Sequence, residues 1–166
     1  VLAPPLDFFR QTQLAWKLDD PLAQLALTWA AQLHQIGLDV SHAHYHRHGG
    51  YLLEYADMPG FPQEEQKLLA CIVRAHRRKL DLQSLEELNA PWHTQAEYLI
   101  VLLRLAVLIH RGRSSIVAPK IELEAKGRSL NVKFPRGWLD ANPLTMADFE
   151  QEGDYLKAAG FRLRVD

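Results

Sequence analysis

The side chains in this sequence best equipped for chemistry are histidines and arginines. His34, His48 and His76 fall among apolar helical positions. Neutral imidazole is a common metal ligand, and histidines from separate helices can meet in a shared polar interior. A histidine in such a place is otherwise a hydrogen-bonded core residue. Arg74, Arg77 and Arg78 stand three and four apart, which places them on one face of a helix. Lys79 follows at once, and no acid lies between Val73 and Leu80. Arg47 beside His48, and the pair Arg104 and Arg111, add to the cationic inventory. Guanidinium forks match phosphate oxygens in pairs, so a strip of them suits a linear polyanion. A basic run can also be a solvated helix face.

Helices must position these groups. Phe8 to Leu18 reads as a first helix. Asp20 caps a second that begins at Pro21 and runs to about Ile36. Leu22, Leu25, Ala26, Trp29 and Leu33 form its apolar face, and Gly37 is placed as its C-cap. Asp39 to His46 is a loop, in which His42, His44 and His46 read as a pH-sensitive solvated cluster. Arg47 to Ala56 is a short helix with His48, Tyr51, Leu52 and Tyr55 on one stripe. Gln63 to Lys79 is a longer one, in which Leu69, Ile72, Val73 and His76 share a face. Asp81 to Leu88 reads as one more short helix. Thr94 to His110 is apolar almost all round and should be the buried central helix. Glu97, Arg104 and Arg111 recur on it every seven residues, along one side.

The pattern changes after Arg113. Ile121 to Glu124 and Leu130 to Phe134 alternate, with Lys126-Gly127-Arg128 between them as a tight turn. Asp148 to Ala159 is helical, and Phe161 to Val165 alternates again. The fold class is therefore mainly α, a helical domain over 1–113, with a small β-β-α-β appendage over 114–166.

Composition narrows the function classes. The 166 residues are 48% hydrophobic with a net charge of −1, so a core forms readily and anion binding must rest on a local patch. The single cysteine, Cys71, excludes an intrachain disulfide, and a reducing cytoplasm is the expected compartment. No signal peptide is visible, and the absence of an initiator Met points to a piece of a longer protein. The apolar stretch from Tyr98 to Ile109 is short for a bilayer and carries Arg104 at its middle, so no membrane span is expected. Nucleic acid is disfavoured as a partner, because the pI is about 6.8 and few aromatics interleave the basic strip.

Two resemblances sharpen these expectations. Leu33-His34-Gln35-Ile36-Gly37, then His48, then Arg74-Ala75-His76, then the run from Leu103 to Leu108 follow the order of the HD superfamily of phosphohydrolases. Gln35 stands where that family places the Asp of its His-Asp pair, and Val107 where it places a late Asp. The histidine of its first helix is also missing between Phe8 and Leu18. An amide and a valine offer no anionic oxygen to a hard cation. The resemblance therefore implies a degenerate HD site at His34, Gln35, His48, His76 and Val107, with no metal and no catalytic residue in this chain.

A closer likeness is to bacterial exopolyphosphatases and their relatives acting on guanosine pentaphosphate. It rests on Trp29 to His34, His46-Arg47-His48, Tyr51-Leu52-Leu53, Pro59-Gly60-Phe61, Val73 to Lys79 and the strand end at Phe134-Pro135. It covers the chain from about Pro21 onward, and it implies the C-terminal module of such an enzyme. Actin-like domains elsewhere in the parent would carry catalysis, with a divalent metal such as magnesium. The module would bind inorganic polyphosphate through Arg47, His48, Arg74, Arg77, Arg78, Lys79, Arg104 and Arg111, and support a homodimer. Guanosine pentaphosphate is the alternative substrate of the parent. An autonomous metal-dependent HD phosphohydrolase is the remaining reading, opposed by Gln35 and Val107.

Overall fold

The computed structural model describes residues 4–80, 82–112 and 119–166. The helices are α1 (Pro4–Thr12), α2 (Pro21–Leu33), α3 (Tyr45–Tyr55), α4 (Gln63–Arg74), α5 (Trp92–Gly112), α6 (Trp138–Ala141) and α7 (Pro143–Ala158). Single 3-10 turns follow α2, at Ile36–Asp39, and precede α5, at Gln83–Glu87. The strands are β1 (Glu122–Lys126), β2 (Ser129–Lys133) and β3 (Arg162–Val165). They form one sheet in the order β1-β2-β3, antiparallel then parallel. The fold is mainly α with a small C-terminal α+β part, as expected. The boundary expected between 113 and 114 falls outside the described residues.

Local chemistry explains most elements. Asp20 caps α2 by accepting from the Leu22 amide at 2.9 Å, with Pro21 at the first helical position. The alternating residues Leu123, Leu130 and Val132 are buried on one face of the sheet. Gly127 takes φ +58° in the hairpin turn, a conformation that a side chain would strain. Its carbonyl accepts the indole N–H of Trp16 at 2.8 Å, which ties the N-terminal segment to the hairpin. Gln11 does the same at β1, accepting from the Leu123 amide and donating to the Ile121 carbonyl.

α5 is the central helix. Ala96, Leu99 to Leu103, Leu105 and Ala106 are buried against α1, α2, α4 and α7. It is long and apolar enough to cross a membrane, at a mean hydropathy of 1.2 over Trp92–Arg111, although the stretch read from sequence was shorter. Most of that segment is buried inside the fold, as in the core helix of a globular domain.

The seven-residue charge repeat on α5 proves to be a docking seam. Glu97 pairs with Arg128 at the hairpin (2.7 Å), Arg104 with Glu152 on α7, and Arg111 with Asp148 on α7 (3.2 Å). The outer pairs are partly exposed, and such pairs contribute about 0–1 kcal/mol. The central pair is buried, with Arg104 1% and Glu152 5% exposed. Arg104 also donates to the Ala75 carbonyl at 2.6 Å and to the Arg78 carbonyl.

Several sequence expectations need correction. The first helix lies at Pro4–Thr12 rather than over Phe8 to Leu18. The buried face of α2 is Ala23, Ala26, Leu27, Ala30 and Ala31, while Leu25 is exposed. Gly37 is not a left-handed cap but a point of close approach. A Cβ there would sit 2.0 Å from the Tyr45 carbonyl oxygen and 2.5 Å from the Gly49 nitrogen. α3 begins at Tyr45, and its buried face is His46, Gly49, Gly50 and Leu53. The stripe Tyr51, Leu52 and Tyr55 faces outward instead. α4 ends at Arg74, five residues before the expected end at Lys79.

Two stability outcomes follow. Gly37→Ala should destabilise by about 1–3 kcal/mol, because backbone must move to admit the methyl group. Gly153→Ala, in α7 with open space at its Cβ, should stabilise by about 0.4–1 kcal/mol. Urea unfolding of both variants reads the contrast, and equal midpoints would refute the close approach. Arg104→Met should cost about 3–5 kcal/mol by leaving Glu152 buried and unpaired. Adding Glu152→Met should recover much of that loss, which a double-mutant cycle measures.

Candidate functional site

A cleft of about 540 Å³ opens between the α4 end, α5 and α7. Its inner wall carries His34, His76, Val107 and Leu108, and its outer rim carries Arg77, Arg78 and Arg111. The helix endings build it. Past Arg74 the α4 ladder stops, because the Val73 carbonyl accepts from His76 Nδ1 and from the His76 amide at 3.3 Å. Arg78 then adopts φ +59°, and Arg104 holds the carbonyls of Ala75 and Arg78. This turn swings Arg77 and Arg78 off the helix and onto the cleft.

The histidines meet, but the trio differs from the one expected. His34 and His76 pack edge to face with ring centroids 5.2 Å apart, and His46 stands 6.4 Å from His76. All three are buried, at 7%, 1% and 4% exposure. His46, and not His48, is the third member, since the early start of α3 turns His46 inward and leaves His48 half-buried. The spacing His46-Gly49-Gly50-Leu53, read as one helical stripe with glycines counted as contact points, would have disclosed this.

Tautomers follow from the partners. His34 Nδ1 lies 2.7 Å from the Ala31 carbonyl, and His76 Nδ1 contacts the Val73 carbonyl. A carbonyl only accepts, so each Nδ1 carries the proton and each Nε2 is left as an acceptor. Burial keeps the rings neutral. It lowers His34 and pulls His76 down to about 3, with His34, His46 and Arg104 pushing the same way. His46 falls to about 4 through burial, then through Arg77, Arg47 and Arg78. His76 Nε2 is buried, with no hydrogen-bond partner among the described residues.

The expected phosphate-binding residues differ in their surroundings. Arg104 is withdrawn into the core, its guanidinium held by Glu152, Ala75 and Arg78. Arg74 does not share a face with Arg77 and Arg78, since it lies on α4 and pairs with Glu54 at 2.8 Å. That acid is twenty residues away in sequence, beyond any local pattern. Arg111 is exposed but shares its charge with Asp148. Arg47, Arg78 and Lys79 are exposed, with no ion pair among the described residues. Arg77 is half-buried, stacked 4.4 Å over the Tyr45 ring, with its guanidinium 3.3 Å from the His42 carbonyl. Arg47, Arg74 and Lys79 line a second, open groove of about 770 Å³ with Tyr51 and Leu82.

Of the positions singled out as a degenerate HD site, His34, Gln35, His76 and Val107 line the first cleft together, and His48 does not. Among the described residues, no group of three or more His, Cys, Asp or Glu side chains is placed to hold a metal ion. Gln35 and Val107 bring no anionic oxygen, and the cations around His46 and His76 oppose a further positive charge.

The profile of a family described as Ppx/GppA phosphatase, domain III, matches residues 1–153. The chain belongs to the Ppx/GppA phosphatase family. It is 35% identical over 140 residues to a guanosine-5'-triphosphate,3'-diphosphate pyrophosphatase of Pseudoalteromonas translucida (strain TAC 125). That match covers 84% of this chain and 28% of the relative, so the chain corresponds to a C-terminal module of the family and not to a whole enzyme of that length. The cleft is thus a feature of a Ppx/GppA domain III.

The buried histidines give this Ppx/GppA module an acid-sensitive core. Their folded pKa values lie below the unfolded value of about 6.5, so the unfolded chain binds more protons in the window between. Their contribution is complete above pH 6.5 and is lost as pH falls toward 4 and then 3. Each fully buried histidine adds up to about 1.4 kcal/mol per pH unit to the slope. His76→Gln should flatten the fall in unfolding free energy between pH 6.5 and 4.5 by about that amount. Parallel slopes for wild type and variant would show that His76 is not held neutral.

Proposed function

We propose that this Ppx/GppA module holds inorganic polyphosphate for a catalytic half elsewhere in its parent protein. The observation carrying this reading is the group of cations at the α4 end and the start of α3. Arg47, Arg78 and Lys79 are exposed and unpaired among the described residues, and Arg77 stands beside them. A fully ionised polyphosphate offers only acceptors at regular spacing, and guanidinium and ammonium groups along a surface supply donors to several units at once. Such contacts exchange counterions, which makes the affinity salt-dependent. His48 lies next to Arg47 and completes the inventory.

The parent activity in this reading is release of terminal phosphate, with a divalent metal such as magnesium in the catalytic half. The parent is a homodimer in the cytoplasm, and the module contributes to its self-association. Outward-facing Tyr51, Leu52 and Tyr55 on α3 offer apolar area for that contact. A second reading takes guanosine pentaphosphate as the parent's substrate. It is favoured by the likeness to the pyrophosphatase named above.

The test is a salt titration of long-chain polyphosphate binding. Replacing Arg47 and Lys79 together by Ala should weaken binding and reduce the slope of log affinity against log salt by about one per lost cation. Folding should hardly change, since both side chains are exposed. Equal slopes and affinities for the variant would remove the polymer from this surface.

A further inference from the structure

The two edges of the sheet end differently. At β1 the Leu123 amide donates to the Gln11 side chain, which donates in turn to the Ile121 carbonyl. α1 thus closes that edge. At β3 the Arg162 amide donates to the Arg128 carbonyl at 2.8 Å, and the Asp166 amide to the Val132 carbonyl at 2.9 Å. Strand alternation turns the amides and carbonyls of Leu163 and Val165 the other way, off the sheet. β3 is the last strand in the order, so no further strand pairs with them among the described residues. The side chains of this edge divide between two faces. Leu163 and Val165 are half-buried and, with Met146 and Gly153 of α7, line an open groove of about 590 Å³. Glu150 and Asp154 line it too. Arg162 and Arg164 are exposed on the opposite face, with no ion pair among the described residues. Their neighbours on β2 are the uncharged Ser129 and Asn131.

We infer that β3 receives an extended segment of a partner protein in which acidic and apolar residues alternate. The segment adds a fourth, antiparallel strand, and Leu163 and Val165 supply the backbone hydrogen bonds. Its acids stand opposite Arg162 and Arg164, where opposite charges attract across a strand pair. Its intervening residues enter the groove. There Met146, Leu163 and Val165 offer apolar contact, while Glu150 and Asp154 turn acids away. Gly153 leaves room for them, since a Cβ at that position would have no atom within 4 Å. A second copy of this chain suits the edge poorly. Full antiparallel pairing of β3 with another β3 sets Arg164 against an arginine of the copy. The β1 edge of a copy is closed by its own Gln11. The groove shares no residue with the cleft or with the groove of Arg47 and Lys79, so the inference is independent of polyphosphate binding.

The probe is a fluorescein-labelled peptide of alternating glutamate and valine, titrated with the full chain and followed by fluorescence polarisation. It should bind saturably, and the matching lysine and valine peptide should not. N-methylation of its valines removes the amides that face β3 in an antiparallel pair, and should abolish binding. Replacing both arginines by Glu, Arg162→Glu with Arg164→Glu, should weaken the glutamate peptide about tenfold or more and admit the lysine peptide. Both arginines are exposed, so this variant should keep the wild-type urea midpoint. Leu163→Pro removes one outward donor, spares the bonds to β2, and should also abolish binding. The inference is overturned if the glutamate peptide fails to bind the wild-type chain. It is overturned equally if the valine-methylated peptide binds as well, which would mean attraction by charge alone. Sedimentation showing a dimer that Leu163→Pro dissolves would give the edge to a second copy instead.

Discussion

The structure turns on the guanidinium of Arg104. It sits at the middle of the central helix, almost without solvent, and two other parts of the chain converge on it. Glu152 brings α7, and the carbonyls of Ala75 and Arg78 bring the end of α4. Taking two charges out of water is costly, so this pair adds less net stability than its geometry implies. Its importance lies in what happens when it is incomplete. A lysine could not replace the planar fork, because bonds in three directions to fixed acceptors need its geometry. Once Arg104 is satisfied, α4 must stop where it does and α7 must lie where it lies. The cleft is the space left between them.

The remaining charges of the seam follow a gradient from that centre. Glu97 and Arg111 lie two turns to either side of Arg104, and their partners Arg128 and Asp148 are partly open to water. They set register more than stability. Arg128 illustrates the point, since it also donates to the Ala159 carbonyl at 2.6 Å and lies 4.0 Å over the Phe161 ring, gathering the hairpin, the α7 end and α5 at one corner. The C-terminal part is therefore held by hydrogen-bonding geometry along one helix, in addition to the apolar contacts of Leu130, Val132 and Phe149.

Much of this was legible in the sequence where a residue acts on its near neighbours. The Asp20 cap, the apolar run of α5 and the strand alternation around Gly127 all depend on spacing within one element, and each was found there. What escaped depends on contacts across space. Nothing local reveals that Glu54 will claim Arg74, or that Arg104 will be buried rather than available to a ligand. α3 failed for a different reason. Its large side chains suggested one buried stripe, yet Gly49 and Gly50 occupy the packed side, where an added Cβ would meet the side chains of Val73 and Arg74. Close packing there requires the smallest residues, which an apolar pattern does not count. The same error hid His46. For the site as a whole, His34, Gln35, His76 and Val107 do share one cleft with Arg77 and Arg78, whereas His48 lies outside it and Arg104 is buried against Glu152.

The electrostatics of the cleft then limit what it can hold. Both Nδ1 atoms donate to backbone carbonyls, an arrangement that in metal sites leaves Nε2 ready to ligate. Here the surroundings oppose a cation. Burial, and after it Arg77, Arg47 and Arg78 around His46 and Arg104 near His76, holds both rings below the usual histidine range. Gln35 and Val107, which line the same cleft, bring no carboxylate to offset the charge of a metal. A positive field drawn from guanidinium groups still attracts anions, but it places that attraction at the rim, where Arg77 and Arg78 stand.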